Sequence, residues 1–431
     1  MTDTAPASGT SIVKVAVTAA AAAAIEWYDF FIYGTAAALV FPAQFFPSDL
    51  PPFVAQIAAF STFAVGFIAR PVGGVLFGHL GDRVGRKRAL TGALLVMGLA
   101  TTGIGLLPSY AHVGAMAPLA LVVLRFAQGL AVGGQWGGAA LMAIESAPAG
   151  RRGFYGSFVQ IGVPAGLVLA NVVFLAVSTG VSPQDFQAWG WRLPFLLSVV
   201  LVAIGAYIQF RLEEPEAFEK AAVAPGARRE LPLARVLRGH LPDVLLAGGA
   251  FVANNTCFYV AITYVVAYGT TTLGIAKETL LTAVMLASAL MAPVLIACGG
   301  ISDRYGRRGI FMVGAVLAGL WAFALFPLLE TGSPPLIIMA ITGEMFFLSL
   351  MYGPQAALFA ELFPVEVRYS GASLGYQIGS VVGGGLAPII ATALFARFQS
   401  TLSIAVYLGA MCAVSFLSVW MLRLRARPSP A

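Results

Sequence analysis

Two carboxylates interrupt the first apolar run of the sequence. Glu26 and Asp29 lie within residues 13–40, where an ionisable group at mid-bilayer costs about 2.5–3.5 kcal/mol. Spaced i, i+3, they share a helix face that Tyr33 continues four residues on. Two carboxylates this close repel when both are ionised, which favours a proton on one of them. We predict that Glu26 or Asp29 carries a coupling proton; a permanent ion pair with an arginine is the alternative.

Two arginines also stand within apolar runs. Arg125 lies at a depth similar to that of the two acids and is their expected counter-charge, because its planar fork matches a carboxylate of the protein or of a ligand. A proton on the acid would free Arg125 for a substrate anion, so both ligands would favour the same state. An arginine fixed only by packing is the alternative. We expect Arg70, just before Pro71, to serve structure or gating more than direct substrate contact.

The composition places these residues in a membrane protein. The 431 residues are 59% hydrophobic and 10% charged, whereas soluble domains carry about 25% charged residues. About twelve apolar runs of spanning length recur: 13–40, 53–80, 89–107, 116–145, 154–178, 190–211, 242–270, 279–301, 309–328, 335–360, 371–396 and 401–422. The net charge of +6 does not indicate nucleic-acid binding, because the basic residues cluster in alternate loops. Such loops stay cytoplasmic, so both termini are predicted there.

The chain also repeats itself. The sequence GHLGDRVGRKR at 78–88 returns as GGISDRYGRRG at 299–309, and a Glu-Pro-Arg pattern after the fourth run returns with the same spacing after the tenth. We therefore predict two halves, 1–211 and 242–431, joined by a cytoplasmic linker at 212–241. The repeated charged residues are predicted to form a cytoplasmic gate: Asp82, Arg83, Arg86, Glu145, Arg152, Asp303, Arg304, Arg307, Glu361 and Arg368. Glycine rows in the second, fourth, fifth and eleventh runs indicate either static packing or faces that slide.

The loop at Gly78–Lys87 resembles the signature of the major facilitator superfamily. EWYDFFIYG, RPVGG, RFAQGLAVGGQWGGA and WGWRLPF resemble its metabolite:proton symporter branch, which includes bacterial carriers of shikimate, 2-oxoglutarate, citrate, and proline or betaine. The resemblance implies an all-α membrane protein of twelve helices in two pseudo-symmetric halves that works by alternating access. It also implies a cavity between spans one, four, seven and ten. The cavity candidates are Tyr33, Arg70, Gln135, Trp136, Asn254, Asn255, Tyr259, Glu344, Tyr352 and Gln355.

Gln135 departs from the family pattern, which has an acid there, and leaves the exact substrate open. We predict proton-coupled uptake of a small organic acid or zwitterion at the bacterial inner membrane, by a carrier that is mostly monomeric in this superfamily. A proton-driven drug or metabolite exporter of the same fold is the alternative. We predict no cofactor, because the proton gradient supplies the driving force. An enzyme is not indicated, because the sequence has no metal-ligand spacing, serine elbow or phosphate loop.

Overall fold

Long apolar helices follow one another along the chain, joined mostly by short connections. The computed structural model describes residues 9–84, 86–133, 147–148, 150–211, 236, 239–364 and 368–425. Within these ranges, nine helices are long and apolar enough to cross a membrane. Two shorter apolar segments, Thr91–Leu106 and Gly190–Gly205, and the 31-residue helix Gly9–Leu39 complete a set of twelve.

We number the spans in chain order. They are Gly9–Leu39, Pro52–Val84, Arg86–Leu106, Met116–Gly133, Arg152–Gly180, Leu193–Arg211, Leu241–Thr271, Lys277–Tyr305, Arg307–Glu330, Pro334–Leu362, Ser370–Phe398 and Leu402–Arg425. Short helices at Phe41–Phe45, Tyr110–Val113 and Pro183–Ala188 lie between spans. Spans seven and eleven each contain a π-helical turn, at Val260–Tyr264 and Ser380–Gly385.

The spans form two groups of six. In the first group, span two packs on span four, span one on span five, and span three on span six. In the second, span ten packs on spans eight and nine, and span seven on spans eleven and twelve. The groups meet where span five lies against span eight, span two against span eleven, and span one against span seven. The predicted linker, 212–241, falls almost wholly outside the described residues.

Glycines allow the closest contacts inside each group. A Cβ on Gly73 would collide with the Leu130 carbonyl, and one on Gly133 with the Arg70 carbonyl, so spans two and four touch backbone to backbone. In span eleven the glycine row faces span seven, where Cβ atoms on Gly375 and Gly379 would lie 2.7 Å from their nearest neighbours, Ala247 and Gly248. In this conformation, Gly375 and Gly379 pack helices within one group.

One glycine pair does join the two groups. A Cβ on Gly153 of span five would lie 2.5 Å from the Gly299 carbonyl of span eight, and one on Gly299 would lie 2.6 Å from the Gly153 carbonyl. This contact is at the end of the bundle that carries the Asp-Arg-x-Gly-Arg sequences, which we call the loop end. The opposite end is the far end. The groups therefore touch closely at the loop end.

Candidate functional site: a buried arginine pair beside a central cavity

Two guanidinium groups are buried against the same phenylalanine. Arg70 of span two is 1% exposed and Arg125 of span four is 0% exposed. The Phe30 ring centre lies 4.3 Å from the Arg70 Cζ and 4.2 Å from the Arg125 Cζ. Each cation also lies over rings of its own, Phe67 for Arg70 and Tyr33 for Arg125. We call Arg70 and Arg125 the arginine pair.

The arginine pair keeps unused hydrogen-bond donors. The Nε and Nη2 atoms of both residues have no hydrogen-bond partner among the described residues. Cation–π contacts stabilise a guanidinium by about 0.5–2 kcal/mol each, which offsets only part of the cost of burying its charge. The two guanidinium groups therefore present buried N–H groups that are able to bind an anion.

Arg125 does not form the expected ion pair. Its Nη1 donates to Gln128 Oε1 at 3.1 Å, and Gln128 Nε2 donates to Thr101 Oγ1 at 2.7 Å. Neither Glu26 nor Asp29 forms a salt bridge with Arg125 within the part of the chain that the structure describes. The direct pairing is absent from this conformation, in which Gln128, one turn further along the same helix, accepts from one nitrogen of the guanidinium.

The two acids of span one face different neighbours. Asp29 is fully buried, and Ser198 of span six donates to its Oδ1 at 2.6 Å. Glu26 interacts electrostatically with Arg70 on span two. Residues three apart on a helix differ by about 60° in direction. That difference is enough to direct Asp29 between spans three and six and Glu26 toward the arginine pair.

A central cavity lies between the two groups of spans, beside Arg70. Its walls are Trp27, Val163, Phe251, Asn254, Asn255, Phe258, Tyr259, Met291, Leu348, Tyr352 and Tyr376. The space free of atoms at this site is about 320 Å³, a volume that includes adjoining open solvent. As the side chains stand, the cavity admits only water-sized groups, so a metabolite fits only after the aromatic walls move apart.

Four of the predicted cavity residues line this space, namely Asn254, Asn255, Tyr259 and Tyr352. Other predicted cavity residues lie elsewhere. Gln355 sits behind the wall, where its Oε1 accepts from Asn254 Nδ2 at 2.5 Å. Tyr33 is buried under Arg125, and its hydroxyl donates to Thr62.

Glu344 does not line this space in the structure, and its side chain neighbours Cys257. The Cys257 sulfur is in turn 3.6 Å from that of Cys412 in span twelve. Gln135 and Trp136 lie outside the described residues.

At the loop end, a carboxylate joins the two groups. Asp303, at the end of span eight, accepts from the backbone N–H groups of Gly153 and Phe154 at 2.8 and 2.9 Å. These N–H groups open span five, where four donors lack intrahelical partners and the helix dipole favours a negative charge. Arg307 then bridges Asp303 at 3.0 Å and Glu361 at 2.6 Å. We call Asp303, Arg307, Glu361 and the first turn of span five the latch.

The remaining predicted gate residues contribute less to the latch. Arg304 is exposed and lies over the neighbouring Tyr305 ring. Arg152 is exposed at the first position of span five. Arg368 donates to the Phe363 carbonyl, whereas Glu361 contacts Arg307. The side chains of Asp82, Arg83 and Arg86 lie outside the described residues, as does all of Glu145.

Several residues of the site carry no signal in the sequence. Thr101, Gln128 and Ser198 are uncharged polar residues in ordinary spans, and Tyr376 follows a glycine in span eleven. Only their neighbours reveal them: each contacts a buried charge or lines the central cavity. A search of the spans for every hydroxyl and amide would have included them among many others.

The fold is that of a polytopic membrane protein with charges buried among its spans, and comparisons with known proteins agree on this class. The family model described as "Major Facilitator Superfamily" matches residues 19–375. The chain is 41% identical over 411 residues to the "Inner membrane metabolite transport protein YhjE" of Escherichia coli strain K12, covering 94% of this chain and 93% of that protein. It is 38% identical over 413 residues to the "Shikimate transporter" of the same strain, covering 95% and 94%.

Solved structures agree on the fold. A partially occluded inward-open structure of the xylose transporter XylE from E. coli matches with a TM-score of 0.75 at 17% identity, over 96% of this chain and 98% of that one. The chain belongs to the major facilitator superfamily. It is a multi-pass secondary transporter and not an enzyme.

Proposed function

We propose that this transporter takes up a small organic anion together with protons. The observation that carries the proposal is the arginine pair: two cations, each at most 1% exposed, with N–H groups that lack partners among the described residues. Such a site favours a carboxylate, which accepts two parallel hydrogen bonds from one guanidinium. A lipophilic cation, the usual cargo of a drug exporter, would be repelled there.

The walls of the central cavity support a ligand with polar groups besides its carboxylate. Asn254 and Asn255 offer amides, while Tyr259, Tyr352 and Tyr376 offer hydroxyls. Trp27 and the phenylalanines supply flat apolar surface. Relatives of this chain include a shikimate transporter and, at 33% identity, a proline/betaine transporter of Salmonella typhimurium. A hydroxylated or cyclic carboxylic acid can bind the arginine pair through its carboxylate and the amides and hydroxyls through its other polar groups. The positive charge of a quaternary amine would be repelled by the arginine pair.

Proton coupling is proposed for the acids of span one. Asp29 is fully buried and Glu26 faces Arg70, so a proton on either changes the charge next to the anion site. Alternating access is proposed to proceed by release of the latch and separation of the halves 1–211 and 242–431 at the loop end. We place both termini and the linker 212–241 in the cytoplasm, in a monomer of the bacterial inner membrane.

Transport by purified protein in proteoliposomes tests the proposal. The substrates are labelled shikimate, 2-oxoglutarate, proline and glycine betaine, each with an inward proton gradient and again with an uncoupler. We expect accumulation of a carboxylate without a quaternary amine, abolished by the uncoupler. Arg70→Gln and Arg125→Gln should each lower that uptake at least tenfold, whereas Arg304→Gln, at an exposed arginine, should not. Outward transport of a cationic dye, with no carboxylate accumulated, would instead identify an exporter.

A further inference from the structure

Two uncharged side chains connect the coupling acid to the arginine pair. Arg125 Nη1 donates to Gln128 Oε1 at 3.1 Å, and Gln128 Nε2 donates to Thr101 Oγ1 at 2.7 Å. Thr101 lies next to the Asp29 carboxylate and interacts with it. Thr101, Gln128, Asp29 and Arg125 are each at most 1% exposed. The route from Arg125 on span four to Asp29 on span one therefore runs across span three, inside the protein.

The chain of hydrogen bonds is incomplete at one point. The Thr101 hydroxyl donates to the Met97 carbonyl of its own helix at 2.8 Å. Asp29 Oδ2 has no hydrogen-bond partner among the described residues, whereas its Oδ1 accepts from Ser198. A rotation about the Thr101 side-chain bond would move the hydroxyl proton from the Met97 carbonyl toward Asp29.

We propose that Thr101 and Gln128 are positioning residues that transmit the protonation state of Asp29 to Arg125. When Asp29 is ionised, the Thr101 hydroxyl donates to Oδ2, and every donor from Arg125 onward points toward the carboxylate. Such a chain strengthens cooperatively because a positive and a negative charge polarise its ends. When a proton from water binds Oδ2, the negative end is lost and Thr101 returns to Met97. Gln128 then holds Arg125 less tightly, and its N–H groups can turn to an anion.

Other charges act on Asp29 as well. Glu26 and Tyr28 of its own helix interact with it electrostatically, and Arg70 of span two lies beyond Glu26. From spans three and six the described groups facing Asp29 are the hydroxyls of Thr101 and Ser198. Span five contributes apolar contacts, through Gly166 against Trp27, and Tyr259 of span seven lies near Arg70 and Arg125. The Thr101–Gln128 chain thus connects Asp29 to Arg125 without a charged intermediate.

The inference rests on the proposed coupling role of Asp29, but its test needs no substrate. Infrared spectroscopy of the purified protein in lipid, titrated with acid, detects the carbonyl band of protonated carboxyl groups, and comparison with Asp29→Asn isolates the band of Asp29. We expect Thr101→Val to lower the acid dissociation constant of Asp29 by about tenfold, because the ionised carboxylate loses one hydrogen bond. Gln128→Leu, which breaks the chain one step further from Asp29, should lower it in the same direction. Thr101→Ser, which keeps the hydroxyl, should restore the wild-type titration.

Thr102→Val is the matched control, because the Thr102 hydroxyl donates only along its own helix, to the Gly98 carbonyl. Wild-type titration in both Thr101→Val and Gln128→Leu would overturn the inference. So would an equal change in Thr102→Val, or an Asp29 band that does not titrate in the wild type.

A transport measurement separates this inference from the proposed function. If the wild type accumulates labelled shikimate, Thr101→Val should still exchange shikimate across the membrane. Its uncoupler-sensitive accumulation of shikimate should be at least tenfold lower than that of the wild type. Coupled accumulation at the wild-type level would contradict the relay. If none of the four labelled compounds is transported, the proposed function fails, and the infrared titration still decides the relay.

Discussion

Replacing Asp303 by asparagine should open the loop end. Asp303 is nearly buried, with 7% of its side chain exposed, and it accepts from two backbone N–H groups of span five and from Arg307. Asparagine has one acceptor oxygen, carries no charge and brings an NH2 group that cannot accept. At least one charge-assisted hydrogen bond, worth about 1.5–3 kcal/mol, and the attraction to the helix dipole, worth about 0.3–1 kcal/mol, are lost.

The expected shift follows from these contributions. A loss of about 2–4 kcal/mol moves the equilibrium between closed and open loop ends by about 30- to 700-fold, since each 1.4 kcal/mol is a factor of ten. Pulsed electron-spin resonance can measure it between spin labels on cysteines introduced at Arg151 and Tyr305, both exposed residues on opposite sides of the latch. The three native cysteines are buried and should react little with the label.

In Asp303→Asn the longer of two label distances should become the major population. Arg304→Gln is the control, because it changes a charge on the same loop at an exposed residue outside the latch. A distance distribution identical to that of the wild type would refute the reasoning, since it would mean that the latch does not set the balance between the two states. Equal opening in Arg304→Gln would mean that loop charge in general, and not the latch, controls closure.

Three further predictions concern packing. Phe30→Leu removes the ring shared by the arginine pair. It should lower the free energy of unfolding by about 1–3 kcal/mol more than Phe31→Leu does, because the Phe31 ring stacks on Trp27 instead. Gly153→Ala should hold the loop end apart, since its Cβ would lie 2.5 Å from a span-eight carbonyl, whereas Gly309→Ala, in open space, should leave spin-label distances unchanged. Lys277→Met removes a cation that lies 3.7 Å from the Phe186 ring centre at the far end. This variant should open the far end more often, whereas Lys277→Arg, which keeps the cation, should not. Equal accessibility of cysteines introduced at the far end of the two variants would contradict the prediction.

The sequence predicted the helices and the buried charges well, because both depend on composition along one span. The run predicted at 279–301 corresponds to a helix at Lys277–Tyr305, and the charges of Arg70 and Arg125 within apolar runs are both buried. A long apolar run and a charge inside it are local properties, and the cost of burying either applies wherever the helix packs.

The partners of each charge could not be predicted, since they depend on how far each helix is rotated about its axis. Depth along the helix matters as well: Glu344 precedes Leu348 by one turn on nearly the same face of span ten. Leu348 nevertheless lines the central cavity, whereas Glu344 neighbours Cys257. Likewise, the spacing of Glu26 and Asp29 suggested one shared face. A rotation of the helix by a fraction of a turn decides whether the two acids face the same arginine or two different spans.

The close contact of spans two and four also bears on how the chain assembles after synthesis. Each of these helices brings an arginine into the bilayer, and neither arginine is tolerated by lipid on its own. Small residues let the two backbones approach directly, and an added Cβ at Gly66 would collide with the Arg125 side chain. Spans two and four therefore need to associate soon after they leave the translocation machinery. Span three, which separates them in the chain, would pack against them afterwards. Bulky residues at this contact should reduce the amount of protein inserted into the membrane, and should leave the transport rate of each inserted molecule unchanged.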